Sequence, residues 1–504
     1  MNDFIPRRVA EIGTALADGV PLATGQAEPP WWQPLLSTFK FFAIPALIVL
    51  VPRLFGSTLP VPALYLLALV CCLLLAKRAL SDPELILATF ILYLPYTLTY
   101  AATIAPGVNG TNGLYALLIL AWVARSVREQ RPFFTPMPFT GLVKTWAILS
   151  LISVATAIST MGLGFITNGK LPDIKGWCDQ FIVFFVVLNL IRDGAAARRV
   201  AVYMMVGTLL VICSGFTEWL DKRHYDRIDK ARLLGPQNQP NDLSAFIVYG
   251  FGIPGALIIC YMWRLRTWVV ATPMLIVTAR VLLATFSRGG LIGMGAVVAA
   301  LLLIRGRVLF ATIAVAGTLL VQVVPEVLPD SMNARMSQTS EPSGELDKSS
   351  QTRLILWNAA IAITLENPIF GTGFHTFRVI KGMYTEIPVH ESDNHNMFLF
   401  ICSQMGLPTL FVFLLIFARL AYVGVSLHKH ALHPFDKAIG LGGVGLAAGV
   451  MSINMFGSRM TDTIVMGYVW ITIAVISHLR KEQLARQADA SGRVDVGPAP
   501  GAST

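Results

Sequence analysis

Seven polar residues in a row, His390-Glu391-Ser392-Asp393-Asn394-His395-Asn396, stand immediately before an apolar run that opens Met397-Phe398-Leu399-Phe400. A histidine at a helix mouth can take a proton from a hydroxyl, because an imidazole titrates close to working pH. Position alone favours a structural role for His395, as a cap or a hydrogen-bonding group, and leaves catalysis open. A metal site built from His390, Asp393 and His395 would be crowded and lacks zinc-type ligand spacing, so no metal is expected. The second chemical feature is Ser287-Arg288-Gly289-Gly290, which opens another apolar run. Its glycine pair permits close backbone approach at a helix start, where an anion is favoured. A guanidinium grips phosphate or pyrophosphate through paired hydrogen bonds. A base and an anion grip suit chemistry on a lipid-linked anionic substrate at a membrane surface.

The elements that must position these groups are membrane helices. The chain has 504 residues, of which 55% are hydrophobic and only 13% charged, and its mean hydropathy is +0.63. A soluble protein carries about twice that charged fraction. The excess of Lys and Arg over Asp and Glu, 39 against 29, is scattered between apolar spans. It therefore speaks of orientation, and nucleic acid is not an expected partner. Six cysteines (Cys71, Cys72, Cys178, Cys213, Cys260, Cys402) lie in or beside apolar runs and read as small core residues. Stretches long enough to cross about 30 Å of hydrocarbon fall at 37–54, 60–76, 84–104, 113–127, 138–158, 176–191, 199–219, 243–262, 268–286, 290–304, 308–325, 396–418, 437–457 and 463–479. The expected fold is an all-α polytopic membrane bundle of about 14 transmembrane helices (12–14), since only helices satisfy their backbone within lipid here.

Lys77/Arg78, Arg125/Arg128/Arg131, Arg192/Arg198/Arg199, Arg264/Arg266, Arg305/Arg307, Lys429/Lys437 and Arg480/Lys481 occupy alternate loops. The positive-inside rule then puts both termini in the cytoplasm. Residues 1–36 form a cytoplasmic N-terminal segment without a cleavable signal, and 37–219 an N-terminal bundle. Residues 220–481, which hold both polar motifs, are expected to form the catalytic membrane region, and 482–504 a polar tail expected to be disordered. Two sizeable loops, 220–242 and 326–395, face outward, the latter with a helix from Ser350 to Glu366. These loops should be poor in cations, yet they hold Lys222, Arg223, Arg227, Lys230, Arg232, Arg353, Arg378 and Lys381. Contact with headgroups accounts for any one of them, and phosphate binding is the functional reading. Arg280 lies deeper within a span and is either functional or a structural ion-pair partner.

The ordered set of short motifs resembles the O-antigen ligase and polymerase superfamily. Ser287-Arg288-Gly289 resembles that family's Ser-Arg-Gly. Arg353 and Trp357, followed by Asn367-Pro368-Ile369-Phe370-Gly371-Thr372-Gly373, resemble its Arg-Trp and Asn-Pro-Gly-Gly segment. His395-Asn396-x-x-Leu399 and Gly406-Leu407-Pro408 resemble its His-Asn block, and Leu234-Gly235 through Pro240-Asn241 its Asn-rich stretch. The motifs cover roughly 230–410, and the amino-terminal third is only generically similar.

The resemblance implies an inverting, metal-independent glycosyltransferase of the bacterial inner membrane that needs no cofactor. It would move a glycan from undecaprenyl pyrophosphate to an acceptor glycan or lipid A-core at the periplasmic face, among membrane lipids. Carried over, His395 is the general base and Arg288 contacts the pyrophosphate. Arg232 is the best match for a second family arginine, with Arg227 competing, while Arg353, Asn396, Asn241 and Arg280 are supporting candidates. Ligase and polymerase share these needs and stay open. A transporter would place polar groups near the bilayer midplane, and a scaffold in an export complex would need neither His395 nor Arg288.

Overall fold

The computed structural model describes residues 82–98, 110–225, 227–323, 348–385, 389–461 and 463–492, with single positions at 70 and 77. The expected spans at 37–54 and 60–76 lie outside the described residues, position 70 apart. Every regular element described is a helix. In chain order they are α1 (Pro83–Tyr93), α2 (Gly110–Arg128), α3 (Thr140–Met161), α4 (Leu163–Thr167), α5 (Leu171–Leu190) and α6 (Gly194–Lys222). Then come α7 (Ile228–Ala231), α8 (Pro240–Cys260), α9 (Leu265–Ala284), α10 (Arg288–Arg305) and α11 (Arg307–Val323). After these follow α12 (Lys348–Glu366), α13 (Phe377–Ile380), α14 (Met397–Met405), α15 (Leu407–His430), α16 (Pro434–Ile453) and α17 (Thr463–Gly492). Eight of them (α3, α6, α8, α9, α10, α15, α16 and α17) are long and apolar enough to cross a membrane.

Besides the span expected at 84–104, whose α-helix ends at Tyr93, two boundaries differ from the sequence reading. The span expected at 396–418 is two helices, because Gly406 has φ +86° and ψ 164° and interrupts the backbone between α14 and α15. The crossing helix is α15, and His395 precedes the short α14. At the other end of the chain, α17 continues to Gly492, past the residue where a polar tail is expected. Charged partners hold that extension, with Glu482 pairing to Arg198 and to Arg486. The helix expected from Ser350 is α12.

Helix α16 (PFDKAIGLGGVGLAAGVMSI) is at the centre of the bundle. Apolar attraction between helices is weak in lipid, so close backbone contact must hold them together. The small residues of α16 supply it: a Cβ on Gly252 of α8 would sit 2.7 Å from the Gly442 carbonyl oxygen, and one on Gly445 3.0 Å from Leu301 of α10. A second cluster joins α3, α5, α14 and α15. Trp146 packs on Trp177 and Phe413 with ring centroids 5.7 and 5.4 Å apart, and Trp177 packs on Phe374 and Phe400 at 5.4 and 6.0 Å. The indoles also donate to Gln180 at 3.2 Å and to Ser150 at 2.9 Å. Each aromatic pair contributes on the order of 1 kcal/mol beyond its area. Together they seat the loop segments that carry the polar motifs.

The helix ends sort into two groups. At one end Arg125 of α2 donates to the carbonyls of Asn189 and Leu190 at the end of α5. Arg198 of α6 reaches Asp436 of α16 there, and His478 of α17 the Leu188 carbonyl. At the opposite end lie the start of α8, the start of α10, the start of α14 and the 454–461 loop that precedes α17.

Candidate functional site

Asn396 starts α14 by accepting hydrogen bonds from the Phe398 and Leu399 amides at 3.0 and 3.2 Å. Such caps satisfy orphan donors and stabilise a helix by about 1 kcal/mol. Its own amide donates to Asn394 Oδ1 at 3.1 Å, and the Asn394 carbonyl accepts from Trp357 Nε1 of α12 at 2.9 Å. These bonds fix the residue between them. His395 has φ +52°, a left-handed conformation uncommon for a residue with a Cβ. Its side chain is 36% exposed, and Nδ1 stands 3.7 Å from Asp393 Oδ2. The other oxygen of Asp393 accepts from Ser458 Oγ at 3.0 Å. Nδ1 is the ring nitrogen on the carboxylate side, at ion-pair rather than hydrogen-bond distance. Burial holds the imidazole below its ordinary range; Asp393 opposes this, Arg353 and Arg459 lower it further, and Glu391 opposes weakly. A neutral imidazole at neutral pH is the form that acts as a base.

The 454–461 loop connects this histidine to the start of α10. Asn454 closes α16, and its carbonyl accepts from the Met397 amide at 2.9 Å. Its side chain donates to Tyr249 at 2.9 Å and accepts from the Arg459 amide at 3.0 Å. A Cβ on Gly289 would lie 3.5 Å from Phe456 of the same loop, so the residue beside Arg288 touches it. Arg459 forms an ion pair with Asp242 in the first turn of α8; the two side chains are only 17% and 13% exposed. Breaking one partner of a buried pair costs about 3–5 kcal/mol, because the other charge is stranded.

Arg288 is half-buried in the first turn of α10. Ser287 caps that helix through the Gly290 amide at 3.2 Å, and Phe286 before it has φ +51°. A bulky residue in that region is a genuine backbone outlier. Arg232 Nε donates to the Thr285 carbonyl at 3.1 Å, so this arginine is tied to the segment leading into Arg288. Glu218 of α6 accepts from the Leu234 and Gly235 amides and from Lys222. Asn241 lies half-buried in the first turn of α8, its carbonyl accepting from Ser244. Arg227 is exposed in the turn before α7. Arg280 is exposed on α9, with its guanidinium over the Trp219 ring, 4.6 Å from the centroid.

The two glycine motifs form one joint. The Thr372 and Gly373 amides donate to the Ser403 and Gln404 carbonyls at 3.0 and 2.9 Å, and the Leu407 amide to Pro368 at 2.8 Å. Gly371 and Gly406 have φ +63° and +86°, and a Cβ on either would overlap backbone of the other segment. Just beyond lies His375 with φ +62°, its Nδ1 3.5 Å from Asp173 of α5. Burial lowers its proton affinity, which Asp173 opposes and Lys170 reinforces. Lys381 donates to the carbonyls of Val389 and Glu391 and so braces the strand of chain leading to His395.

His395, Asn396, Arg353, Arg288, Arg232 and Asn241 therefore gather at one end of the bundle. Arg227 and Arg280 are at the same end but are exposed, Arg280 on an aromatic ring. The sequence reading missed Asp242, Ser458 and Arg459, and it weighed Asp393 only as a metal ligand. Arg459 had a signal: by the same loop parity it is another cation on the side that should lack them.

Residues 273–414 match the family model of the O-antigen ligases. No curated protein matches the chain.

Proposed function

We propose that this multi-pass protein, whose residues 273–414 match the O-antigen ligase family model, transfers a glycan from a polyprenyl pyrophosphate carrier to an acceptor hydroxyl. The observation that carries the reading is the Asp393–His395 pair, held at the same helix ends as Arg288 and joined to it by the 454–461 loop. The acceptor oxygen attacks the anomeric carbon as His395 Nε2 takes its proton. The bond from that carbon to the pyrophosphate oxygen breaks, and the carrier leaves with the electron pair. One displacement inverts the anomeric centre. Pyrophosphate is a fair leaving group, so arginine can neutralise the developing charge in place of a general acid. Arg288 supplies that contact, helped by the N-terminal dipole of α10, and Arg232 stands beside it. Asp393 favours the proton on the nearer Nδ1 and leaves Nε2 available. This face is the periplasmic one and the membrane the bacterial inner membrane.

The test is purified full-length protein with a defined undecaprenyl-pyrophosphate oligosaccharide, which can itself accept in a polymerase reaction, with and without lipid A-core as acceptor, assayed for release of the carrier. His395→Ala should abolish release, a loss of at least about 10²–10⁴, while the variant still inserts into membranes. Unchanged release would overturn the base assignment. A deletion strain separates the two acceptor classes: free lipid-linked polymer accumulates without a ligase, and single lipid-linked repeat units without a polymerase.

A further inference from the structure

A cavity of about 440 Å³ opens at the end of the bundle opposite His395. It lies between the ends of α2 and α5, the start of α6 and the 478–485 stretch of α17. Its lining includes Arg125, Arg131, Arg192, Arg198 and Lys481 against two carboxylates, Asp193 and Glu482. Three of the cations are committed to the fold: Arg125 donates to the α5 carbonyls, Arg131 pairs with Glu129 at 2.9 Å, and Arg198 pairs with Asp436 and Glu482. Arg192 and Lys481 are exposed at the rim, and among the described residues neither forms an ion pair. The cavity thus presents uncommitted positive charge between helix ends, in the size range of small-ligand sites.

We propose that this cavity binds the phosphodiester headgroup of an anionic phospholipid from the leaflet opposite the catalytic end. Basic pockets between membrane helices select such headgroups. The surroundings favour a lipid over a soluble anion. Arg131 and Pro132 line the cavity, and the next two residues, Phe133 and Phe134, are each 47% exposed. Phe134 carries Lys144 over its ring at 5.0 Å. Exposed phenylalanines at a helix end with a cation beside them suit the boundary between headgroups and acyl chains. Glu482 lies against the first residue of α6, where a Cβ on Gly194 would overlap its carboxylate. An internal acid thus already occupies that helix start, and the lipid phosphate is gripped by Arg192 and Lys481 at the rim.

The experiment is native mass spectrometry of the full-length protein from nanodiscs containing phosphatidylglycerol and phosphatidylcholine. Thermal unfolding in detergent is measured in parallel, with phosphatidylglycerol, glycerol 3-phosphate or inorganic phosphate added. Wild type should retain phosphatidylglycerol in preference to phosphatidylcholine. The Arg192→Gln/Lys481→Gln variant should lose that preference, with an apparent affinity weaker by on the order of tenfold. Protection of wild type but not the variant by glycerol 3-phosphate or inorganic phosphate as strongly as by lipid would assign the same site to a soluble phosphate. Equal lipid retention by both proteins, with no protection by either anion, would overturn the proposal. The two rim residues bear no weight in the bundle, and unfolding in phosphatidylcholine alone reports whether the variant is intact. If the double variant unfolds early, Arg192→Gln alone gives the same comparison.

Discussion

At the scale of single residues, the candidate site is an exercise in controlling one imidazole. Burial, Arg353 and Arg459 all disfavour the charged form of His395, while Asp393 works against them. A base is active when deprotonated, so a lowered pKa carries the acidic limb of the rate profile to lower pH. Arg353→Gln removes one cation that disfavours imidazolium. The His395 pKa should then rise and the acidic limb of kcat/KM move to higher pH, with the plateau at alkaline pH retained. An unshifted limb would show that a different group is titrating. Arg288 poses the opposite question, since its charge matters less than its shape. Arg288→Lys keeps the charge but gives up paired hydrogen bonding to a phosphate. Steady-state kinetics against donor concentration should show kcat/KM down by on the order of tenfold, and wild-type donor kinetics would refute the grip.

At the scale of elements, the glycine joint decides how accurately His395 is delivered. Gly406 adopts a backbone that residues with a Cβ scarcely visit, and the Ile369 carbonyl occupies the space a methyl would need. Gly406→Ala should destabilise the protein by on the order of 3 kcal/mol. Gly382→Ala, where nothing lies within 4 Å of the added carbon, is the matched control and should leave the melting temperature unchanged. Thermal unfolding in detergent checks both; equal midpoints for the two variants would mean that the joint yields at little cost. This joint also shows where sequence reading works and where it stops. Hydropathy located α10 and α16 because lipid demands long apolar runs, while the opening serines and Asn367-Pro368 marked α12. It fused α14 and α15, because both are apolar and a window spanning Gly406 sees no change. Short motifs singled out His395 and Arg288 as candidates, since each stands at the polar mouth of an apolar run. Arg459 with Asp242, separated by 217 positions in the chain, forms a pair that no local spacing encodes. The partnership of Ser458 with Asp393 is hidden for the same reason.

At the scale of the whole molecule, two polar ends are separated by an apolar bundle, and their chemistry depends on which leaflet each meets. The candidate site gathers cations on the face that the positive-inside rule would leave poor in them. The other end carries the alternating basic loops and the basic cavity. Glycan transfer from an outward-facing carrier requires His395 to be on the periplasmic side. This can be measured without any substrate, in a background with the native cysteines replaced. Ser392 is exposed beside the histidine, and Leu432 is 65% exposed between α15 and α16 at the opposite end. Ser392→Cys should react with a membrane-impermeant maleimide in intact spheroplasts, and Leu432→Cys only after the membrane is opened. The reverse pattern would turn His395 toward the cytoplasm. The base would then never meet an outward-facing donor, and the cavity would face the periplasmic leaflet. The transfer reading would fall, while the headgroup site could still be assayed by its lipid retention, because that measurement does not depend on which side the cavity faces.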